Sequence, residues 1–310
     1  MMPNIQKPYI SIVICTYNRA DLLLATLDSL QGLSSIDKAE VIIVDNNSND
    51  HTRSVAEAYI RRNTSVKARY LFEPSQGLST ARNKGIQAAE GTIIAFLDDD
   101  AIPCPEWIST IAAAFDSRQD VYAMGGIIRP NFESGRPDWL IKSFELPYTI
   151  VDMGSTVMEY PARLHPCGAN MAIRRSFFEN HSFPTNLGRK GSSLLSGEEQ
   201  WIFDKMRKEG KSILYHPEMA VVHFIPASRL TWEWIQQRYY YQGISNACIG
   251  NGIRGKVSLL GMLAGKLLYV IIASLFARSE GSRLLVKCRL ESILGSLDML
   301  RRRGNMPLAR

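Results

Sequence analysis

Thr92-Ile93-Ile94-Ala95-Phe96-Leu97-Asp98-Asp99-Asp100 is an apolar run that ends in three consecutive carboxylates. Its length and composition suit a buried strand, and a proline-broken stretch follows. The run therefore predicts a strand that delivers three acids to the edge of a sheet. Like charges at such spacing repel unless a cation or a cationic partner sits among them. Hard divalent ions take oxygen ligands, and Mg²⁺ commonly uses one or two carboxylates together with substrate phosphates. The stretch thus points to a metal-bridged phosphate site, and a solvated acidic turn is the alternative that the triplet alone leaves open.

Working outward, the first half alternates in type. Ile10–Cys15, Val41–Val44, Ala68–Phe72 and Ile93–Leu97 read as strands. Between and after them, Asp21–Leu30, a segment from Asp50 or Thr52 to about Arg61, Ser79–Ala89 and Pro105–Phe115 read as helices. This order predicts an α/β fold with a mostly parallel sheet covered on both faces. Ligands of such sheets bind beyond the carboxyl ends of the strands. Polar groups converge there in Thr16-Tyr17-Asn18-Arg19, in Asp45-Asn46-Asn47-Ser48 and in the aspartate triplet.

The chain has 310 residues, with 45% hydrophobic and 21% charged residues, enough for one large domain or two modest ones. Its five cysteines include no CxxC pair, which argues for reduced thiols in a cytosolic setting and against a disulfide framework or zinc site. The short apolar segment near the N-terminus runs straight into a polar motif and reads as a first strand rather than a secretory signal.

The series Ser11-Ile12-Val13-Ile14-Cys15-Thr16-Tyr17-Asn18-Arg19, Val44-Asp45-Asn46-Asn47-Ser48, Gly77-Leu78-Ser79-Thr80-Ala81-Arg82-Asn83-Lys84-Gly85 and Phe96-Leu97-Asp98-Asp99-Asp100 resembles a family-2 glycosyltransferase with the GT-A, Rossmann-like fold. Cys167-Gly168-Ala169-Asn170 and Gly197-Glu198-Glu199-Gln200-Trp201 extend the likeness to about residue 225. Two positions depart from the family pattern. Cys15 stands where proline is frequent, and Glu199 stands where the acidic pair more often ends in aspartate, which adds a methylene to the reach of the presumed base.

The resemblance implies an inverting transfer from a nucleoside-diphosphate sugar to a glycan or lipid-linked acceptor, assisted by Mn²⁺ or Mg²⁺. It assigns Thr16, Tyr17 and Arg19 of the first loop, together with Asp45, to the base and ribose. Arg82 would meet the diphosphate or the base, with a surface salt bridge as an equal alternative. Asp100 would hold the cation. Asp98 would hold it too or face the ribose or donor sugar, and Asp99 could serve either purpose. His223, after the apolar run Met219–Val222, would complete the metal shell unless its role is structural. Glu199 is the expected base and Glu198 its alternative. A sugar nucleotidyltransferase is a competing reading, but the first loop lacks a glycine-rich phosphate cradle. A non-catalytic sugar-nucleotide-binding module is another, but it would not need the glutamate pair.

A division at about residue 230 is expected. Residues 1–230 would form the glycosyltransferase domain, with a nucleotide-binding half (1–130) and an acceptor half (131–230). Residues 231–310 would form amphipathic helices. The aromatics of 131–166 are expected in a mobile cover over the active site. Residues 251–310 carry eleven Lys/Arg against three Asp/Glu, so the rest of the chain is slightly acidic. Val257–Ala277 is also the most apolar stretch, which favours an anionic membrane surface over nucleic acid as partner. Leu260, Leu263, Leu267 and Ile271 share one helical face, with Ser258, Gly261, Gly265, Lys266 and Tyr269 on the other. That predicts an interfacial helix, followed by a second over Leu284–Leu300. The expected location is the cytoplasmic face of the cell membrane, by peripheral or monotopic attachment.

Overall fold

The computed structural model describes the backbone of residues 9–249 and 252–303, and side-chain surroundings over 9–249 and 261–302. The chain forms two compact units. The first comprises Met1–Asn131, Thr149–Thr185 and Glu199–Phe224, and the second Phe132–Tyr148, Asn186–Glu198 and Ile225–Arg310.

In the first unit the expected alternation is present. Its elements are Ile10–Thr16 (β1), Ala20–Ser29 (α1), Ala39–Asp45 (β2), Thr52–Arg62 (α2), Lys67–Phe72 (β3), Leu78–Ala88 (α3) and Ile93–Asp98 (β4). Strand β1 lies between β2 and β4, and β2 pairs with β3, all parallel. Every residue of β2 is buried, as a strand covered on both faces requires. Register sets the functional edge: Thr16 lies opposite Asp45, and Cys15 opposite Asp98. The loops after β1, β2 and β4 therefore open at one end of the sheet.

The sheet continues in the other direction. Ala101–Pro103 (β5) and Trp107–Ser117 (α4) precede Val121–Phe132 (β6), Met158–Glu159 (β7), Asn170–Arg174 (β8), Glu198–Lys208 (α5) and Ser212–Ile225 (β9). The strand order is β3-β2-β1-β4-β8-β6-β9-β5, with β7 also on β9. Strand β8 runs antiparallel to β4 and β6, and β9 antiparallel to β5 and β7. Helix α4 starts at Trp107 rather than at Pro105, because the Trp107 N–H bonds back to the Cys104 carbonyl in a preceding turn.

Asn170 ties this half together from full burial. Its Oδ1 accepts the Trp107 indole N–H at 2.8 Å, and its amide donates to the carbonyls of Met219 at 2.7 Å and Ile127 at 3.1 Å. One side chain thus satisfies groups on α4, β6 and β9. A Cβ at Gly126 would overlap the Met219 carbonyl, so glycine there permits close passage beside β9.

The second unit contains Trp232–Ile249 (α6), Gly252–Phe276 (α7) and Glu280–Arg303 (α8). Helices α6 and α8 approach closely at Gly243 and Gly295, where a Cβ would overlap the carbonyls of Ser292 and Tyr240 respectively. Three of the five aromatics in the segment expected to form a mobile cover are buried. Phe144, Tyr148 and Tyr160 are buried; Tyr148 stacks on Trp234 at 4.9 Å and Phe144 meets Tyr239 edge-on at 6.1 Å.

The leucine face expected on α7 divides between buried and exposed residues. Ser258 and Leu260 lie outside the residues whose side chains are described. Leu263 and Val270 are buried, whereas Leu267 and Ile271 are exposed. Lys266 turns inward and donates to Ser292 Oγ of α8 at 2.8 Å, and burial lowers its pKa to about 8. Among the described residues, no helix is long and apolar enough to cross a membrane.

Replacing Asn170 with Ala orphans the Trp107 N–H and two buried carbonyls. The expected loss of unfolding free energy is at least about 2 kcal/mol, read as a lower urea midpoint with an unchanged slope.

Candidate active site

Strand β4 ends at Asp98, and Asp99 and Asp100 make the turn into β5. The β5–β9 register then places His223 opposite Ala101, and the Phe224 N–H bonds to the Asp100 carbonyl at 2.9 Å. His223 Nε2 consequently lies 3.2 Å from Asp100 Oδ1. Ligand atoms of Asp98, Asp100 and His223 all fall within 4.8 Å of one another. Two carboxylates and an imidazole at that spacing suit a divalent ion.

The acids are costly to hold ionised. Burial, then the neighbouring Asp100, raises the Asp98 pKa. Asp99 is raised to about 6 by burial, against the lowering effect of Arg19. Arg19 spans the turn: Nη1 reaches Asp99 Oδ1 at 2.6 Å and Nη2 reaches Asp100 Oδ2 at 2.7 Å. The guanidinium expected among the nucleotide contacts is thus engaged by the acids. Each oxygen of Asp100 faces a different group, one His223 and the other Arg19.

The first two loops hold each other. Asn18 and Asn47 adopt left-handed backbone conformations, with φ of 51° and 69°. The Asn18 N–H donates to Ser48 Oγ at 2.9 Å, and the Asn49 N–H donates to Asn18 Oδ1 at 2.8 Å. Asp50 joins the two following helices by accepting from the N–H groups of Ala20 and Thr52. Thr16 is buried and Tyr17 half-buried at this edge. Asp45 is 2% exposed; Oδ1 accepts the Ser48 N–H and Oδ2 the Tyr70 hydroxyl, both at 2.8 Å. Its neighbour Asn46 accepts the Gly77 N–H at 2.8 Å and so fixes the entry to α3, a role its sequence context did not reveal.

Glu199 lies in the first turn of α5. Its Oε1 accepts the Gly168 N–H at 2.8 Å and Arg82 Nη2 at 3.1 Å. The same Arg82 nitrogen is 4.0 Å from Asp98 Oδ1. Arg82 is therefore a buried link between the glutamate and the acidic turn, not a surface salt bridge. Glu198 is 3% exposed, whereas the Glu199 side chain keeps 20% exposure. Cys15 lies opposite Asp98, but burial pushes its thiol up to about 12, which excludes it as a nucleophile near neutral pH.

The profile of glycosyl transferase family 2 matches residues 11–182. The chain is 26% identical over 240 residues to the glucosyl-dolichyl phosphate glucuronosyltransferase of Haloferax volcanii, covering 76% of this chain and 75% of that protein. It is 26% identical over 245 residues to the succinoglycan biosynthesis protein ExoM of Rhizobium meliloti, covering 78% and 75% respectively. Among solved structures it is similar to the mannosyltransferase PcManGT of Pyrobaculum calidifontis, in complex with GDP-Man and Mn²⁺. That match has a TM-score of 0.67 at 18% identity and covers 96% of this chain and 88% of that one. The fold is thus that of the GT-A glycosyltransferases.

A carboxyl whose pKa is higher in the folded chain than in the unfolded one binds its proton more tightly when folded. Stability from Asp99 is therefore present below its ordinary value of 3.8 and is lost as pH rises through about 6. With chelator present, Asp98→Asn is expected to raise the melting temperature at pH 7.5, because it removes one crowded charge. Mn²⁺ should stabilise the parent chain more at pH 7.5 than at pH 5.5 and should have little effect on the variant. Thermal melts across that matrix check the sign.

Proposed function

This chain belongs to glycosyl transferase family 2, and we propose that it moves a sugar from a nucleoside-diphosphate sugar to a glycan or lipid-linked acceptor by a single displacement with inversion. The observation that carries this reading is the Asp98–Asp100–His223 set at the strand edge, where a half-buried and a buried carboxylate crowd one another beside a buried imidazole. The relatives support the acceptor class, since one is named for a glucosyl-dolichyl phosphate and another for succinoglycan biosynthesis. PcManGT, with its GDP-Man and Mn²⁺, supports the donor class.

Asp98, Asp100 and His223 are the residues that would hold Mn²⁺ or Mg²⁺. When bound, the ion would supply positive charge against the departing nucleoside diphosphate. The rest of the reaction falls to the chain's own groups. Thr16, Tyr17 and Asp45 border the nucleotide, and the mutually bonded loops after β1 and β2 hold that border in place. Asp99 stays with Arg19 and fixes the turn. Glu199 accepts the proton of an acceptor hydroxyl. That oxygen then bonds to the anomeric carbon as the carbon–oxygen bond to the diphosphate breaks, and the bonding pair leaves with the diphosphate. Attack from the face opposite the leaving group inverts the anomeric centre. Glu198, being buried, is the less suited of the pair to meet an acceptor.

The second unit supports a lipid surface as partner. Leu267, Leu268, Ile271, Ile272, Leu275 and Phe276 of α7 are all exposed, while Lys266 is turned inward. On α8, Arg283, Lys287 and Arg301 flank exposed Leu290, Leu294 and Leu297 along one stripe. Apolar side chains bordered by basic ones fit an anionic interface, and attachment there would place the enzyme beside a lipid-linked acceptor.

Glu199→Gln is expected to lower transfer by at least about 10²-fold while leaving nucleoside-diphosphate binding nearly intact; wild-type turnover would remove Glu199 from the mechanism. Incubation with a panel of UDP- and GDP-sugars plus Mn²⁺ should release nucleoside diphosphate. Monophosphate with pyrophosphate would instead mark a nucleotidyltransferase, and tight binding without turnover a binding module. Leu275→Asp/Phe276→Asp should reduce co-sedimentation with vesicles containing phosphatidylglycerol. Equal sedimentation of the variant would count against this surface, and a concentration-dependent dimer lost in the variant would reassign it to a second copy of the chain.

A further inference from the structure

Arg82 is the most enclosed cation at the site. Its side chain is 3% exposed, and its guanidinium lies over the rings of Phe183 and Phe96 at 5.4 and 5.9 Å. The two rings are themselves in edge-on contact at 5.6 Å, and a guanidinium packed against that pair has little freedom to swing toward a ligand. The oxygen it meets on Glu199 is also the one that accepts from the Gly168 backbone. A Cβ at Gly168 would overlap both Arg82 Nη2 and Glu199 Oε1, so only glycine leaves room for all three groups.

We propose that Arg82 is a positioning residue that acts through Glu199, with the Gly168 N–H as the second anchor, rather than a ligand of the donor nucleotide. The proposal rests on the reading of Glu199 as the base. A glutamate has one more rotatable bond than an aspartate, and an unrestrained one spreads its carboxylate over several rotamers. Two donors converging on Oε1 select one of them and leave Oε2 to take the acceptor proton. A backbone donor fixes the distance from β8, and the guanidinium fixes the distance from Asp98. The base is thereby referenced to the acidic turn through a single rigid side chain. Productive proton transfer depends on such placement, and an error of about 1 Å in a reacting group costs about 10²-fold in rate.

A double-mutant cycle tests this. Arg82→Gln, Glu199→Gln and the double variant are compared for turnover of the panel donor that supports transfer, and for UDP and GDP binding with Mn²⁺ by calorimetry. Arg82→Gln is expected to lower kcat about 10²-fold with donor KM and nucleoside-diphosphate affinity within about threefold. In the Glu199→Gln background it should change turnover by less than about threefold, because the group it positions is gone. Arg82→Lys keeps the buried charge and should show the same split if the glutamine variant does not fold. Loss of nucleotide affinity by about tenfold or more in both backgrounds, or fully additive losses in turnover, would overturn the proposal in favour of a donor contact. Wild-type turnover in Glu199→Gln would instead overturn the base assignment itself, and the two failures are distinct.

Discussion

Three carboxylates at the end of one buried strand set the terms for everything around them. Two like charges about 4 Å apart repel by about 4 kcal/mol at an effective dielectric near 20, and burial adds a desolvation cost to each. The chain offsets that cost from several directions. Arg19 arrives from the loop after β1, Arg82 from α3 and His223 from β9. None of these is close in sequence to the triplet. The sheet must therefore be complete, from its parallel half to its antiparallel half, before the acidic turn can be held. Burial and the neighbouring acids nonetheless raise the pKa of Asp98 and Asp99. A divalent ion held by these carboxylates would oppose the same repulsion.

The parallel half was legible in the sequence because its signals are local. Each strand is an apolar run, and each of β1, β2 and β4 stops at a polar motif. The register Thr16 to Asp45 and Cys15 to Asp98 follows from those coincident stops. The antiparallel half was harder to read, since its contacts are fixed by pairing and not by periodicity. His223 looked like a lone histidine after an apolar run. Only the pairing of a three-residue strand, Ala101–Pro103, with β9 brings it to Asp100. Arg19 stood in a nucleotide-loop motif, and nothing local showed that two of the aspartates would claim its guanidinium. Gly168 was visible as part of a motif but carried no sign that its N–H would meet a glutamate. Asn170 likewise gave no hint that three separate groups depend on it.

The C-terminal helices show a different limit. Spacing along Val257–Ala277 established an amphipathic helix, but periodicity does not say which face is inside. The conventional choice buries the leucines and exposes the lysine. Over the described part of the helix, Leu263 and Val270 are buried, Lys266 reaches Ser292, and Leu267, Leu268 and Ile271 remain exposed. Inward placement lowers the Lys266 pKa through desolvation, a cost that the hydrogen bond to Ser292 partly offsets. Gly243 and Gly295 draw α6 and α8 together without any help from those leucines. The unit is thus closed by its aromatics and small residues, and the apolar surface of α7 is surplus to its own folding. Such surplus apolar surface is the property that sets a binding face apart from a scatter of single exposed side chains.

The glutamate at 199 joins these threads. In the proposed reaction Glu199 is the point of proton transfer, and a flexible acid there would add disorder beside an already crowded acidic turn. Its extra methylene lengthens the reach and loosens the aim. The chain answers with a backbone donor, which has no rotamers of its own, and with an arginine packed against the Phe96–Phe183 pair. Arg82 also faces Asp98, so the charge that steadies the glutamate simultaneously opposes the crowding of the aspartates. One cation serving two acids on different elements couples the geometry of the acidic turn to that of α5. A change in either carboxylate then bears on the guanidinium that both face.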